Sequence, residues 1–263
     1  MTDPDTDAPA GGGTSRSNFG GAQSDAVDAT VQAVGDRTGL PLPRSWAKVD
    51  GGRFGRMDEE EVLTGGNSTL VTRVGRTVRR TAGPWTPAVH SLLEALRHAG
   101  VTEVPQALGM DDHGREVLSF IDGDAAHYPL PDWIWDPSVL RDAGALLRRI
   151  HDASVGLARA GLSWQLPTHQ PAEVVCHNDA APYNMVFADG RLTALIDFDT
   201  ASPGPRIWDF AYLAYRLVPL GENGGPGAPE EQQRLSRLDA LIDAYGVSFG
   251  HVQVFQTLAA RLD

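Results

Sequence analysis

Residues 174–214 read VVCHNDAAPYNMVFADGRLTALIDFDTASPGPRIWDFAYLA, and this stretch decides the fold. His177, Asp179, Asn184 and Asp197 sit pinned between apolar runs. Asn184 opens the run 185–187, Asp189-Gly190 supplies a hairpin turn, and the chain returns through 192–196. Asp197 therefore emerges at the end of the strand paired with the one Asn184 begins. Asp179 rides on the loop leading in. The pattern delivers two carboxylates and an amide to one sheet edge.

Upstream, three short strand-like runs are expected: 61–63, 70–74 and 77–80. A turn at Gly75-Arg76 makes the last two a hairpin, in a region rich in β-branched residues. Gly65-Gly66 could let backbone N–H groups approach a phosphate, though on its own it reads more readily as an ordinary hairpin turn. Thr86 as N-cap and Pro87 at the first helical position start a helix carrying Val89, Leu92, Leu93 and Leu96, ended by Gly100. Two more strands, 107–110 and 116–121, turn at Asp112-His113-Gly114. Gly123 closes this sheet-rich half. Asp136-Pro137 then opens a helix with Val139, Leu140, Ala143, Leu146, Leu147 and Ile150 on one face. His151, beside that stripe, reads as a core or capping histidine. Helices are also expected over 208–217, around Leu235 to Tyr245 with Gly246 as its cap, and over 252–262. The fold class is α+β, with a small antiparallel sheet bearing one helix and then a mainly helical half. The division is 1–23 as a disordered tail poor in apolar residues, 24–121 as the sheet lobe and 122–263 as the helical lobe.

Composition narrows the function. The 263 residues are 41% hydrophobic and 21% charged, as in a globular protein. A net charge of −12 argues against non-specific binding to nucleic acid or an anionic membrane. No run approaches a membrane span, and the acidic N-terminus lacks the pattern of a signal peptide. Cys176 is the single cysteine, so no intrachain disulfide forms and a cytoplasmic address is expected. Within its apolar run, Cys176 reads as a small buried hydrophobe. The sequence is silent on oligomeric state.

Hard oxygen ligands beside a loop carboxylate are the parts that Mg-nucleotide phosphoryl transfer requires: one carboxylate orients the acceptor hydroxyl, and others hold Mg²⁺ against the phosphates. The spacing His177-Asn178-Asp179, Pro182-Tyr183-Asn184, Ile196-Asp197-Phe198-Asp199 closely resembles the catalytic and metal loops of the protein-kinase-like fold. Its H-x-D-x-x-x-x-N form is similar to the aminoglycoside phosphotransferase and choline kinase family, and the match continues through residues 204–209. Over roughly 60–263 the order of elements follows that bilobal fold. The resemblance implies Asp179 as the catalytic base and Asn184 and Asp197 as Mg²⁺ ligands. Asp199 would be a further metal-side group, His177 a brace and Asp209 a buried support. Residues 118–121, with Ser119 and Ile121, would form the hinge that meets the adenine. The donor it implies is ATP, with GTP as the alternative, and the acceptor a small-molecule hydroxyl.

One position departs from the family. The sheet lysine that grips the phosphates has no counterpart, because Lys48, the only lysine, precedes the sheet. Arg79 stands in the matching place with Arg80 as the fallback, and the helix partner position falls at Val89 or His90. Glu222, Glu230, Glu231, Asp239 and Asp243 would either wall a site for a cationic acceptor or form a solvated face. Loss of catalysis on the same fold is the rival reading.

Overall fold

A computed structural model describes residues 60–63, 71–220 and 227–263. The tail and the Gly65-Gly66 turn lie outside the described residues. A five-stranded antiparallel sheet is ordered β1-β2-β3-β5-β4, from β1 (Glu61–Leu63), β2 (Val71–Val74), β3 (Thr77–Thr81), β4 (Ala107–Met110) and β5 (Arg115–Ser119). Helix α1 (Thr86–His98) buries Val89, Leu92, Leu93 and Leu96 beside the sheet residue Leu118. The periodicity placed this helix correctly, but not its cap. Trp85 is the N-cap, and the Thr86 hydroxyl instead accepts the Gly83 N–H at 2.9 Å.

The helical half is built on α2 (Pro137–Ser154), started by Asp136, whose carboxylate accepts the Ser138 N–H at 2.7 Å. Its apolar face packs against α4 (Glu231–Tyr245), where Leu238, Leu241 and Tyr245 are buried. A shorter helix, α3 (Arg206–Leu217), lies between α2 and the terminal α5 (His251–Leu262). Two small sheets occupy the junction. The pair β7 (Val174–Cys176) and β10 (Ser202–Gly204) is one; β6 (Asp124–Ala125), β8 (Met185–Ala188) and β9 (Arg191–Leu195) form the other. Among the described residues no helix is long and apolar enough to cross a membrane.

Where the chain passes from β5 to β6, Gly123 has φ +139°, and a Cβ there would sit 2.5 Å from the Phe187 carbonyl oxygen. Only glycine fits both the backbone and the space. Gly123→Ala is expected to destabilise the protein by about 1–3 kcal/mol, read as a lowered denaturation midpoint. An unchanged midpoint would show that the junction relaxes freely.

Candidate active site

The β8–β9 hairpin forms as its sequence requires, with Met185 opposite Leu195 and the Ile196 N–H donating to the Asn184 carbonyl at 2.8 Å. This register sets Asn184 and Asp197 side by side at the hairpin's open end. Ahead of it, Asp179 is held on both oxygens. The hydroxyls of Tyr183 and Tyr212 donate to Oδ1 at 2.6 and 3.1 Å, and Asn184 Nδ2 donates to Oδ2 at 2.9 Å. Asn184 Nδ2 also reaches the Asp179 carbonyl at 2.9 Å. With its amide nitrogen committed to Asp179, Asn184 presents Oδ1 as its remaining group. Asp197, whose side chain is 51% exposed, adopts φ +64°, a left-handed conformation rare outside glycine.

Beneath the loop lies a buried network. His177 Nε2 donates to the Ile196 carbonyl at 3.0 Å while Nδ1 accepts the Asp179 N–H at 3.2 Å, which fixes the tautomer. Asp209, fully buried, accepts the N–H groups of His177 and Asn178 at 2.7 and 2.9 Å and the His151 Nε2–H at 3.0 Å. His151, expected as a core histidine, is one, and its Nδ1 meets the Tyr245 hydroxyl at 2.7 Å. His151, Cys176 and Asp209 place their ligand atoms within 4.8 Å of one another. Both Asp209 oxygens are occupied by N–H donors, so the cluster serves as hydrogen-bonded support. Burial pushes the Cys176 thiol well up from its ordinary value.

Burial also drives Asp209 upward, but the bond and charge of His151, with the charges of His177 and Arg261, outweigh it and hold the carboxyl at about 2. A depressed folded-state value contributes stability above the unfolded value near 4, lost as pH falls through about 2. The contribution is on the order of 2 kcal/mol. Asp209→Asn is therefore expected to flatten the fall in stability between pH ~4 and ~2. Acid titration of both proteins by circular dichroism checks this, and parallel curves would remove Asp209 from the account.

Opposite the hairpin the sheet offers two adjacent arginines on β3, Arg79 and the fallback Arg80. Successive β3 side chains face opposite ways, and Arg79 turns toward Asp111 at 3.7 Å. Arg80 is the arginine that meets the hairpin carboxylates. Its guanidinium donates to Asp197 at 2.9 Å, to Asp199 at 2.7 Å and, through Nε, to Glu116. The carboxylate partner of Arg80 is Glu116, on β5. The residue from α1 is His90, whose Nε2 meets Glu116 Oε1 at 2.9 Å. Burial alone would lower the Arg80 pKa, but the charges of Glu116, Asp199 and Asp197 raise it. Asp199 is pushed up to about 6, chiefly by burial, with Glu116 and Asp197 adding to the shift against the pull of Arg80. One guanidinium facing three carboxylates leaves negative charge uncompensated. Together with Asn184 Oδ1, that is a hard-oxygen donor set suited to a divalent cation.

At the hinge, the Ser119 N–H is committed to the Gln106 carbonyl at 2.9 Å and the Phe120 N–H to the Arg76 carbonyl at 2.8 Å. Neither of those two N–H groups is left to meet a base; Ile121 follows immediately.

Tyr183, Tyr212, Arg216 and Arg261 escaped the sequence reading. Arg261 donates to the Asn178 carbonyl, to Asn178 Oδ1 at 3.3 Å and to the Trp208 carbonyl at 3.4 Å, and stacks 4.5 Å from the Tyr212 ring centroid. Asn178, at φ +67°, is thus held in a left-handed conformation from α5. The spacing Tyr212, Tyr215, Arg216 on α3 was the available signal, since residues three and four apart share a helix face.

Comparison with known proteins agrees with this geometry. The model of the "Phosphotransferase enzyme family" (APH) matches residues 157–246, spanning the loop, the hairpin and α3. The trifolitoxin immunity protein of Rhizobium leguminosarum bv. trifolii is 35% identical over 204 residues, 73% of this chain and 76% of that protein. Among solved structures, an aminoglycoside phosphotransferase of Streptomyces rimosus in complex with ADP and streptomycin superposes with a TM-score of 0.55 at 14% identity, covering 78% of this chain and 92% of that one. A choline/ethanolamine kinase family protein of Mesorhizobium loti gives 0.52 at 18% identity, covering 88% and 81%. The fold is protein-kinase-like, and the chain belongs to the phosphotransferase enzyme family.

Proposed function

We propose that this protein transfers the γ-phosphoryl group of ATP, with GTP as the alternative donor, to a hydroxyl group of a small molecule. The observation that carries the reading is the convergence of Asp179, Asn184 and Asp197 at one hairpin end, with Arg80 facing them. Asn184 and Asp197 would hold Mg²⁺, which supplies neutralisation of the phosphate charge. Asp179 accepts hydroxyl donors already, from Tyr183 and Tyr212, so it is suited to orient an acceptor O–H and take its proton late. Arg80 takes the place of the family's lysine; its planar fork grips phosphate as well as carboxylate. Ile121 is the hinge residue assigned to the adenine. The ADP and streptomycin bound by the Streptomyces rimosus enzyme support a nucleotide donor and a drug-like acceptor. The relative named for toxin immunity supports an acceptor of the antibiotic or toxin class. A cytoplasmic address, with the sheet half at 24–121 and the helical half at 122–263, belongs to the same proposal.

The rival is a nucleotide-binding protein that has lost catalysis, favoured by the missing lysine and by Arg80 closing on Asp197. Two measurements separate them: a thermal-shift titration with Mg-ATP, and ADP release in the presence of aminoglycosides, macrolides, sugars and choline-like amines. Saturable nucleotide binding with acceptor-stimulated ADP release is expected. Nucleotide binding without stimulation by any acceptor favours the rival.

A further inference from the structure

Beside Asp179 lies an aromatic basket whose cation none of this chemistry uses. Arg216 on α3 sits among four tyrosine rings, its Cζ 5.4 Å from the centroid of Tyr128, 5.3 Å from Tyr183, 5.8 Å from Tyr212 and 5.8 Å from Tyr215. These are cation–π distances. Two of the rings, Tyr183 and Tyr212, are the ones whose hydroxyls touch Asp179 Oδ1. The basket therefore adjoins the place assigned to the acceptor hydroxyl. It opens to solvent at Tyr128, which is 55% exposed, and Arg216 is half-buried.

Two features point to a ligand. Arg216 Nε is buried and has no hydrogen-bond partner among the described residues, and a buried N–H left unbonded is costly. Arg261, which also stacks on Tyr212, differs in having its N–H groups committed to Asn178 and Trp208. An aromatic basket can capture a ligand cation, but this one already holds a cation against its ring faces. What Arg216 has left to offer is the N–H edge of a guanidinium, which matches a carboxylate or phosphate. Among the described residues no carboxylate forms an ion pair with Arg216. Asp239 pairs with His251 at 2.6 Å, Glu230 caps α4, Glu231 and Asp243 are exposed, and Glu222 lies outside the described residues.

We propose that Arg216, held by Tyr128, Tyr183, Tyr212 and Tyr215, selects an acceptor carrying an anionic group, carboxylate or phosphate, near its reactive hydroxyl. This rests on the phosphotransferase reading of the Asp179 site. It replaces the expectation of a cationic acceptor with an electrostatic preference of the opposite sign.

The test is a thermal-shift titration of the full chain, at constant ionic strength and with saturating Mg-ADP, using glycerol 3-phosphate, glycerol and choline as probes. Glycerol 3-phosphate is expected to give a saturable stabilisation that glycerol and choline do not. Arg216→Gln should weaken that response on the order of tenfold or more, the loss of a charge-assisted bond, while the Mg-ADP shift stays unchanged. Arg216→Lys guards against a merely structural effect: it restores part of the anion response if charge selects the ligand. Stabilisation by choline instead, equal responses in wild type and Arg216→Gln, or no response to glycerol 3-phosphate at millimolar concentration would each overturn the proposal. An absent Mg-ADP shift with the anion response retained would sink the nucleotide reading and leave the anion site standing.

Discussion

Asp179→Asn is expected to lower acceptor phosphorylation by roughly 10²–10⁴-fold, the range for loss of a positioned general base. Mg-nucleotide affinity should change little. The substitution is isosteric, and the amide oxygen can still accept from the Tyr183 and Tyr212 hydroxyls, which now donate at 2.6 and 3.1 Å. What it removes is the charge, and with it the capacity to take a proton from the acceptor. On the other oxygen, an amide nitrogen would face Asn184 Nδ2, which now donates at 2.9 Å. Any loss of metal-dependent binding from that contact is expected to stay small beside the loss of turnover. Steady-state ADP release beside a Mg-ADP titration separates these effects. Turnover within a few-fold of wild type would remove Asp179 from the reaction.

The second large effect is expected at Arg80. Its guanidinium serves Glu116, Asp197 and Asp199 together, and both Arg80 and Glu116 are almost wholly buried. Arg80→Met strands Glu116 in the interior with His90 as its remaining partner among the described residues. Breaking a buried pair from one side costs about 3–5 kcal/mol, a fall in Tm on the order of 10 °C for a chain of this size. Nucleotide affinity should drop with it, since the same group is assigned to the phosphates. Arg80→Lys should fall between, because one ammonium cannot fork across three carboxylates. Arg79→Met is the control: its partner Asp111 also has Arg115 Nε at 2.7 Å, so a small loss is expected. Thermal unfolding with and without Mg-ADP measures all three. Greater damage from Arg79→Met than from Arg80→Met would contradict the assignment of Arg80.

At β3 the local pattern leaves the choice between Arg79 and Arg80 open. Adjacent arginines on a strand have the same composition and opposite faces, and which faces the hairpin is set by pairing register, here Arg80 against Glu116. The resemblance puts the partner position on α1, at Val89 or His90. Glu116 is far from α1 in sequence, and only the fold brings it to His90. By contrast, the Asp189-Gly190 hairpin was legible because turn chemistry and strand alternation are local. It carried Asn184 and Asp197 to one place without tertiary information. The helices were legible for the same reason, through apolar stripes such as that from Val139 to Ile150, whereas the cap of α1 was not. Thr86 spends its hydroxyl on Gly83, a competition between turn and cap that spacing cannot decide. Arg216 and Arg261 were missed because an arginine on a helix usually reads as a solvated charge. Their stacking on tyrosines depends on how α3 and α5 pack.

The most direct test of the central claim is the mass spectrum of candidate acceptors after incubation with the protein and Mg-ATP. The site geometry predicts a single phosphoryl group added to a hydroxyl of one acceptor, in step with ADP released, and absent with Asp179→Asn. Saturable Mg-nucleotide binding with no acceptor gaining a phosphoryl group would contradict it.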